Sequence, residues 1–205
     1  MCDDAWHPAE VLQRGFGLLA DSTFAFEFVK HGANWSPAVM NEFPLVVVGK
    51  ANHLCSTDQR PWLAGGSQSA FPQFVQGGGG LVLVHAGTCY KELSEMRAVI
   101  GGAFLQHPDQ CPVTVEPKAG HPLTADVSKF TVSDEHYFMA LDDPQADVFL
   151  HSRSEHGVQP AGWTRTATGG GRVCALTPGH NLEVWLHPEF QKLLLNALRW
   201  TAKLH

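Results

Sequence analysis

The stretch "GGGGLVLVHAG", residues 77–87, decides the fold. A glycine run ends the helical pattern before it and leads into four consecutive apolar residues, Leu81, Val82, Leu83 and Val84. A run without polar alternation fits a strand buried on both faces of a parallel sheet. His85 closes that strand, at the spot where many α/β enzymes hold a nucleophile on a sharp turn. An imidazole at the end of a buried strand is costly unless its nitrogens are partnered. His85 is therefore either a satisfied core histidine or a working group.

Working outward, residues 8–19 read as a helix with Pro8 in its first turn and Val11, Leu12, Phe16 and Leu19 at helical spacing. "TFAFEFV" (23–29) alternates and reads as a strand, and "PLVVVG" (44–49) reads as a second fully buried strand. "FPQFVQGG" (71–78) is a short helix feeding the opening stretch. Beyond it, "PVTVEP" (112–117), "FTVSDEHYF" (130–138) and "ADVFLHSR" (146–153) read as short strands. Residues 160–180 read as a strand, a glycine turn and a second strand, a C-terminal antiparallel hairpin. "HPEFQKLLLNALRWTAK" (187–203) is a closing amphipathic helix with Phe190, Leu193, Leu194, Ala197, Leu198 and Trp200 on its buried stripe. The alternation predicts one α/β domain over 1–205, with a mostly parallel central sheet flanked by helices. A doubly wound domain opens on a buried strand, and only "MCDD" precedes the first helix, so that strand is expected to be truncated.

Composition narrows the partners. Of 205 residues 44% are apolar and 17% charged, and the net charge is −6, so neither disorder nor a nucleic-acid footprint is expected. No apolar run is long enough for a membrane span, and "MCDDAWHP" lacks a signal region. Cys2, Cys55, Cys89, Cys111 and Cys174 form no CxxC pair, which argues for a reducing, cytoplasmic setting rather than a disulfide framework.

Ligands of open parallel sheets bind beyond the carboxyl ends of the strands. The candidates there are Asp3, Asp4 and His7; Lys50, Asn52 and His53; His85; Asp134, Glu135 and Tyr137; and His180 with Glu183. Bland roles compete at each. His7 before Pro8 suits a helix entry, Lys50 a solvated charge, Asp134 with Glu135 a solvated turn, and Cys89 a packing role; His107 is undecided. Neutral imidazoles with a carboxylate make a common site for zinc or another first-row divalent ion. Without metal, the same groups serve as acid and base near neutral pH. Neither HExxH nor GxSxG is present.

The segments "CDDAWHPAEV", "FVQGGGGLVLVHAG", "GGAFLQHP", "HPLTADVSKFTVSDEHY" and residues 160–200, taken in this order, resemble the ThuA-like (trehalose utilisation) family. The resemblance implies a flavodoxin-like fold similar to class I glutamine amidotransferases. It places His85 where those enzymes carry their catalytic cysteine, and His180 at the partner histidine's position. His187 is the competing assignment, but it looks like the entry to the last helix. Thioester chemistry is then not expected at this elbow.

The family further implies catabolism of trehalose-type disaccharides through keto-sugars, with a pathway link to a sugar dehydrogenase. His85, His180 and Glu135 are the expected catalytic core and candidate metal ligands. Asp4, His7, Lys50, Tyr137, Trp163 and Glu183 are the expected substrate-binding groups, with Trp163 as an apolar wall. A homo-oligomer is compatible with this reading. Two alternatives stand beside it: a non-catalytic sugar-binding or regulatory module, and a hydrolase that uses Cys89.

Overall fold

The computed structural model describes residues 1–19, 23–144 and 146–204. Among these, the helices are α1 (Ala9–Gly17), α2 (Pro37–Met40), α3 (Ala70–Gln76), α4 (Ser94–Ile100), α5 (Leu182–Leu186) and α6 (Pro188–Thr201). The strands are β1 (Leu45–Val48), β2 (Gly80–Val84), β3 (Gly102–Gln106), β4 (Cys111–Pro117), β5 (Phe130–Asp134), β6 (Phe138–Leu141), β7 (Asp147–Ser154), β8 (Gly157–Thr166) and β9 (Arg172–Leu176). Pro8 caps α1 and Pro188 opens α6, where a missing N–H costs nothing.

Seven strands form one sheet in the order β1-β2-β9-β8-β7-β4-β5, and β3 pairs with β6 in a small second sheet. β1, β2 and β9 run parallel, whereas every pairing from β9 through to β5 is antiparallel. The α/β class holds, but the sheet is mixed, which corrects the mostly parallel expectation. The cause is visible in burial. β2 is buried at all five positions, as a strand covered on both faces must be. β5 alternates buried and exposed, and the first residues of β4 do the same, which is the signature of an antiparallel strand wetted on one face. β7, β8 and β9 are joined by short turns, which only antiparallel neighbours allow.

Side chains of β2 alternate between two cores. Val82 and Val84 meet Phe190, Leu193, Leu194, Ala197 and Leu198 of α6, together with Leu12 and Phe16 of α1. Leu81 and Leu83 face Phe71, Phe74, Met96 and Ile100 from α3 and α4 on the opposite side. The stripe expected on α6 is buried, with Trp200 at its margin.

The expected strand over 23–29 does not form. Cys2 N–H donates to the Val29 carbonyl at 3.2 Å, but an apolar cavity of about 450 Å³ is lined by this segment and by Leu45, Val46 and Val47 of β1, so the two do not pair. Met1 lies alongside the end of β1, its ammonium donating to the Val47 carbonyl at 2.7 Å. No helix among the described residues is long and apolar enough to cross a membrane.

Strand directions then locate the functional edge. With β2 and β9 parallel, and β8, β7, β4 and β5 alternating from β9, the carboxyl ends of β2, β9 and β5 share one edge. β5 is four places from β9 in the sheet order, yet Asp134 at its end accepts from the Gly179 and His180 N–H groups just beyond β9. The sheet therefore curls back, bringing its two distant strand ends together.

Candidate metal centre

Four side chains from this edge converge. His7, His85, His180 and Glu135 each offer one candidate ligand atom, and these atoms all lie within 4.8 Å of one another.

His85 sits one residue past β2 with φ +51°, a left-handed conformation that non-glycine residues seldom adopt. That backbone turn aims the imidazole over β9, where Nδ1 donates to the Thr177 carbonyl at 2.8 Å. A carbonyl only accepts, so Nδ1 carries a hydrogen, and Nε2 faces Glu135 Oε2 at 3.3 Å. Tyr137 stacks on the other side of the ring, centroids 4.1 Å apart.

His7 is aimed by Asp4. The fully buried Asp4 carboxylate accepts from the Ala51, Trp6 and His7 N–H groups at 2.7, 2.9 and 3.1 Å, and from His7 Nδ1 at 2.8 Å. The ring's Nε2 is left free to point inward. A carboxylate behind a histidine in this way fixes its tautomer and raises its basicity as a ligand.

His180 is set by the loop after β9. Gly179 has φ +139°, and the buried Asp134 carboxylate takes the N–H groups of Gly179 and His180 at 2.9 and 3.0 Å. Trp185 Nε1 donates to the Gly179 carbonyl at 2.7 Å and closes the turn. His180 Nδ1 then lies 3.2 Å from Glu135 Oε1.

These contacts to Glu135 are close but poorly aligned. His7 Nε2, His85 Nε2 and His180 Nδ1 are all buried with no hydrogen-bond partner. Three orphaned imidazole nitrogens around one carboxylate are costly as they stand. Donors on a tetrahedral first-row ion, with bonds of about 2.0–2.1 Å, sit roughly 3.3–3.5 Å apart. The His85–Glu135 and His180–Glu135 contacts, at 3.3 and 3.2 Å, already match that separation, and the four ligand atoms all lie within 4.8 Å of one another.

Burial opposes ionisation of Glu135, but the His180 and His85 rings outweigh it and hold the carboxyl well below its usual range. Glu135 in turn raises His180, while burial lowers His7 against the pull of Asp4. Burial also raises Asp134, and its backbone bonds to the His180 loop oppose that shift.

The expected core of His85, His180 and Glu135 is thus brought together, and His7 joins it as a fourth donor rather than a supporting group. Asp4 is buried behind His7 and Tyr137 behind His85, so both pack against the converging histidines instead of facing solvent. Two expected substrate groups are elsewhere. Lys50 is fully buried, its ammonium donating to the Leu54 carbonyl at 3.0 Å and the Lys30 carbonyl at 3.4 Å. Trp163 is buried between β8 and α4, with Nε1 donating to the Ile100 carbonyl at 2.7 Å. Neither lines the centre. Glu183 is exposed on the first turn of α5.

Cys89 Sγ donates to the Tyr137 hydroxyl at 3.7 Å, and burial pushes the thiol up to about 12, the reverse of an activated nucleophile. His107, undecided from sequence, reaches the outer side of Glu135 at 3.6 Å. The Asp4–His7 pairing was the signal that sequence reasoning underweighted: a carboxylate three residues before a histidine, on a turn.

A family profile described as "ThuA: Trehalose utilisation" matches residues 7–201. Among solved structures, a ThuA-like protein from Bacteroides uniformis is 20% identical with a TM-score of 0.74, covering 94% of this chain and 83% of that one. A ThuA-like protein from Parabacteroides merdae is 17% identical with a TM-score of 0.70, covering 98% and 87%. Part of a β-galactosidase from Rahnella sp. R3 is similar at 16% identity and a TM-score of 0.57, covering 80% of this chain and 23% of that one. No curated protein matches the sequence.

Proposed function

The chain belongs to the ThuA, trehalose-utilisation family, and from that premise we propose that it acts on a trehalose-type disaccharide or its keto derivative at a His7–His85–His180–Glu135 metal centre. One observation carries this reading: three buried imidazole nitrogens without hydrogen-bond partners belong to histidines whose ligand atoms, with a Glu135 oxygen, all lie within 4.8 Å of one another. Each has its orientation fixed from behind, by Asp4, by the Thr177 carbonyl and by the Asp134-bound turn. A site in which every ligand is held by a second group is the usual design of a metal centre. Nitrogen and oxygen donors of this kind suit zinc or another first-row divalent ion.

A bound ion would supply Lewis acidity toward a sugar carbonyl. A ketone acidifies the neighbouring C–H, and a carboxylate or imidazole beside the carbonyl can take that proton. Returning the proton to an adjacent carbon isomerises the keto-sugar. Expelling a glycosidic oxygen two bonds away instead breaks the disaccharide. Cys89 takes no part, because burial keeps its thiol protonated.

The test pairs metal content with proton exchange. Protein equilibrated with zinc, manganese or cobalt and freed of excess should retain about one ion per chain. Incubation with a keto-disaccharide in D2O should then place deuterium on the carbon beside the ketone. Retention of no ion and no exchange would overturn the reading, whereas sugar binding without exchange favours a non-catalytic module.

The ligand-orienting role of Asp4 gives a second expected result. Asp4→Asn keeps the shape and one acceptor but removes the charge behind His7. Metal affinity, measured by competition with a chelator, should fall about 10- to 100-fold. Unchanged affinity would show that His7 is not a ligand.

A further inference from the structure

We infer that Trp6, together with His53, is a stacking platform for one pyranose ring of the substrate, set at the rim of the metal centre. The inference rests on the sugar reading above and says where the part of the sugar that does not react is held.

The cavity beside His7, His85 and His180 measures about 10 Å³. That is about the room of a single water. No sugar ring enters it. The side chains of Glu135 and His180 are only 12% and 18% exposed, so reacting atoms can touch the centre while the rings lie on the surface around it. A disaccharide then needs a binding surface outside the centre, close to one ligand and fixed relative to it.

Trp6 meets that need. It is 59% exposed, the most exposed large apolar side chain among the described residues. It is also the immediate neighbour of the ligand His7. Its position is not that of a loose surface residue. The Trp6 N–H donates to Asp4 Oδ1 at 2.9 Å, the oxygen that also takes His7 Nδ1. The same carboxylate takes the Ala51 N–H, two residues before His53. The Trp6 and His53 rings pack at 4.6 Å and 55°. The buried Asp4 carboxylate thus holds the Trp6 backbone and the His7 ring together, and the Trp6 indole packs on His53.

The chemistry fits a sugar face. An indole presents a negative π face to the weakly positive C–H bonds on the flat side of a pyranose. Trp163, the other tryptophan considered for this role, is buried and spent on the Ile100 carbonyl.

The experiment measures trehalose and maltose binding by saturation-transfer NMR and calorimetry, on wild type, Trp6→Ala and Trp6→Phe, with metal content determined for each. Trp6→Ala should weaken disaccharide binding about tenfold or more while keeping its full metal content. Trp6→Phe should keep most of the affinity, because an aromatic face remains. Equal affinity in wild type and Trp6→Ala overturns the platform, and so does the absence of disaccharide binding by wild type. Loss of sugar affinity in Trp6→Ala from a protein that retains no metal upholds the platform and sinks only the metal centre.

Discussion

Replacing His85 with Ala is expected to abolish turnover of a keto-disaccharide, by on the order of 10³-fold or more, and to remove the bound ion, while the chain still folds. The rate expectation combines loss of a metal ligand with loss of a positioned acid–base group, each worth orders of magnitude. The folding expectation follows from what else His85 does. Its Nδ1–H is the donor to the buried Thr177 carbonyl, and leaving that carbonyl unpartnered costs about 1–3 kcal/mol. The left-handed φ of +51° is already carried by a residue with a Cβ, so Ala adds little strain. A domain with roughly 5–15 kcal/mol of stability survives that loss.

Melting with and without added zinc separates the two effects. Wild type should melt at higher temperature when zinc is added, because ligand bound only to the native state stabilises it. His85→Ala should show a slightly lower melting point and no zinc response. Glu135→Gln tests the same centre without disturbing the elbow, since it removes the charge and keeps the shape. Undiminished turnover in both variants would dismiss the centre as the site of chemistry.

The centre was legible in the sequence to the extent that each ligand follows a strand on the same edge. His85 stands directly after the apolar run "LVLV", His180 on the short loop after β9, and Glu135 directly after β5. His7 was harder to place, because its role depends on Asp4 being buried, and burial of a carboxylate cannot be read from "CDDAWHP". Lys50 misled for the same reason. Nothing in the residues around it shows that the Leu54 and Lys30 carbonyls close over its ammonium.

Sheet direction was also present in the residues but given too little weight. "PVTVEP" and "FTVS" alternate, in contrast to "PLVVVG" and "LVLV", and that contrast separates strands wetted on one face from strands buried on both. The aromatic alternation of 23–29 pointed to a strand that does not pair, since a cavity takes the place of a neighbour. Periodicity reports which faces are apolar. It does not report whether a partner edge is within hydrogen-bonding reach.

The second large effect comes from Gly87, at the end of the stretch that set the fold. A Cβ there would lie 1.9 Å from the Val48 carbonyl oxygen and 2.9 Å from the carbonyl carbon. Both obstacles are backbone, and neither can swing away as a side chain would. Val48 ends β1 and is in register with Leu83, and the next residue's N–H donates to the Met1 carbonyl. A methyl group at position 87 must therefore push the elbow away from the end of β1. Gly87→Ala should cost about 3–5 kcal/mol, at the top of the range for one substitution. Urea unfolding at unchanged m-value would read this as a lower midpoint. Gly17→Ala is the matched control: it lies at the end of α1 with nothing within 4 Å of an added Cβ. Ala there should be stabilising by about 0.5–1 kcal/mol, because glycine is the poorer helix residue. A Gly87→Ala protein as stable as wild type would mean that the elbow does not rest on β1. In the structure, that contact lets a strained histidine stand at the end of β2, so the variant should lose metal along with stability. The glycine and the histidine two residues before it then act as one device, the first allowing the close approach of β1 and the second using the position it creates.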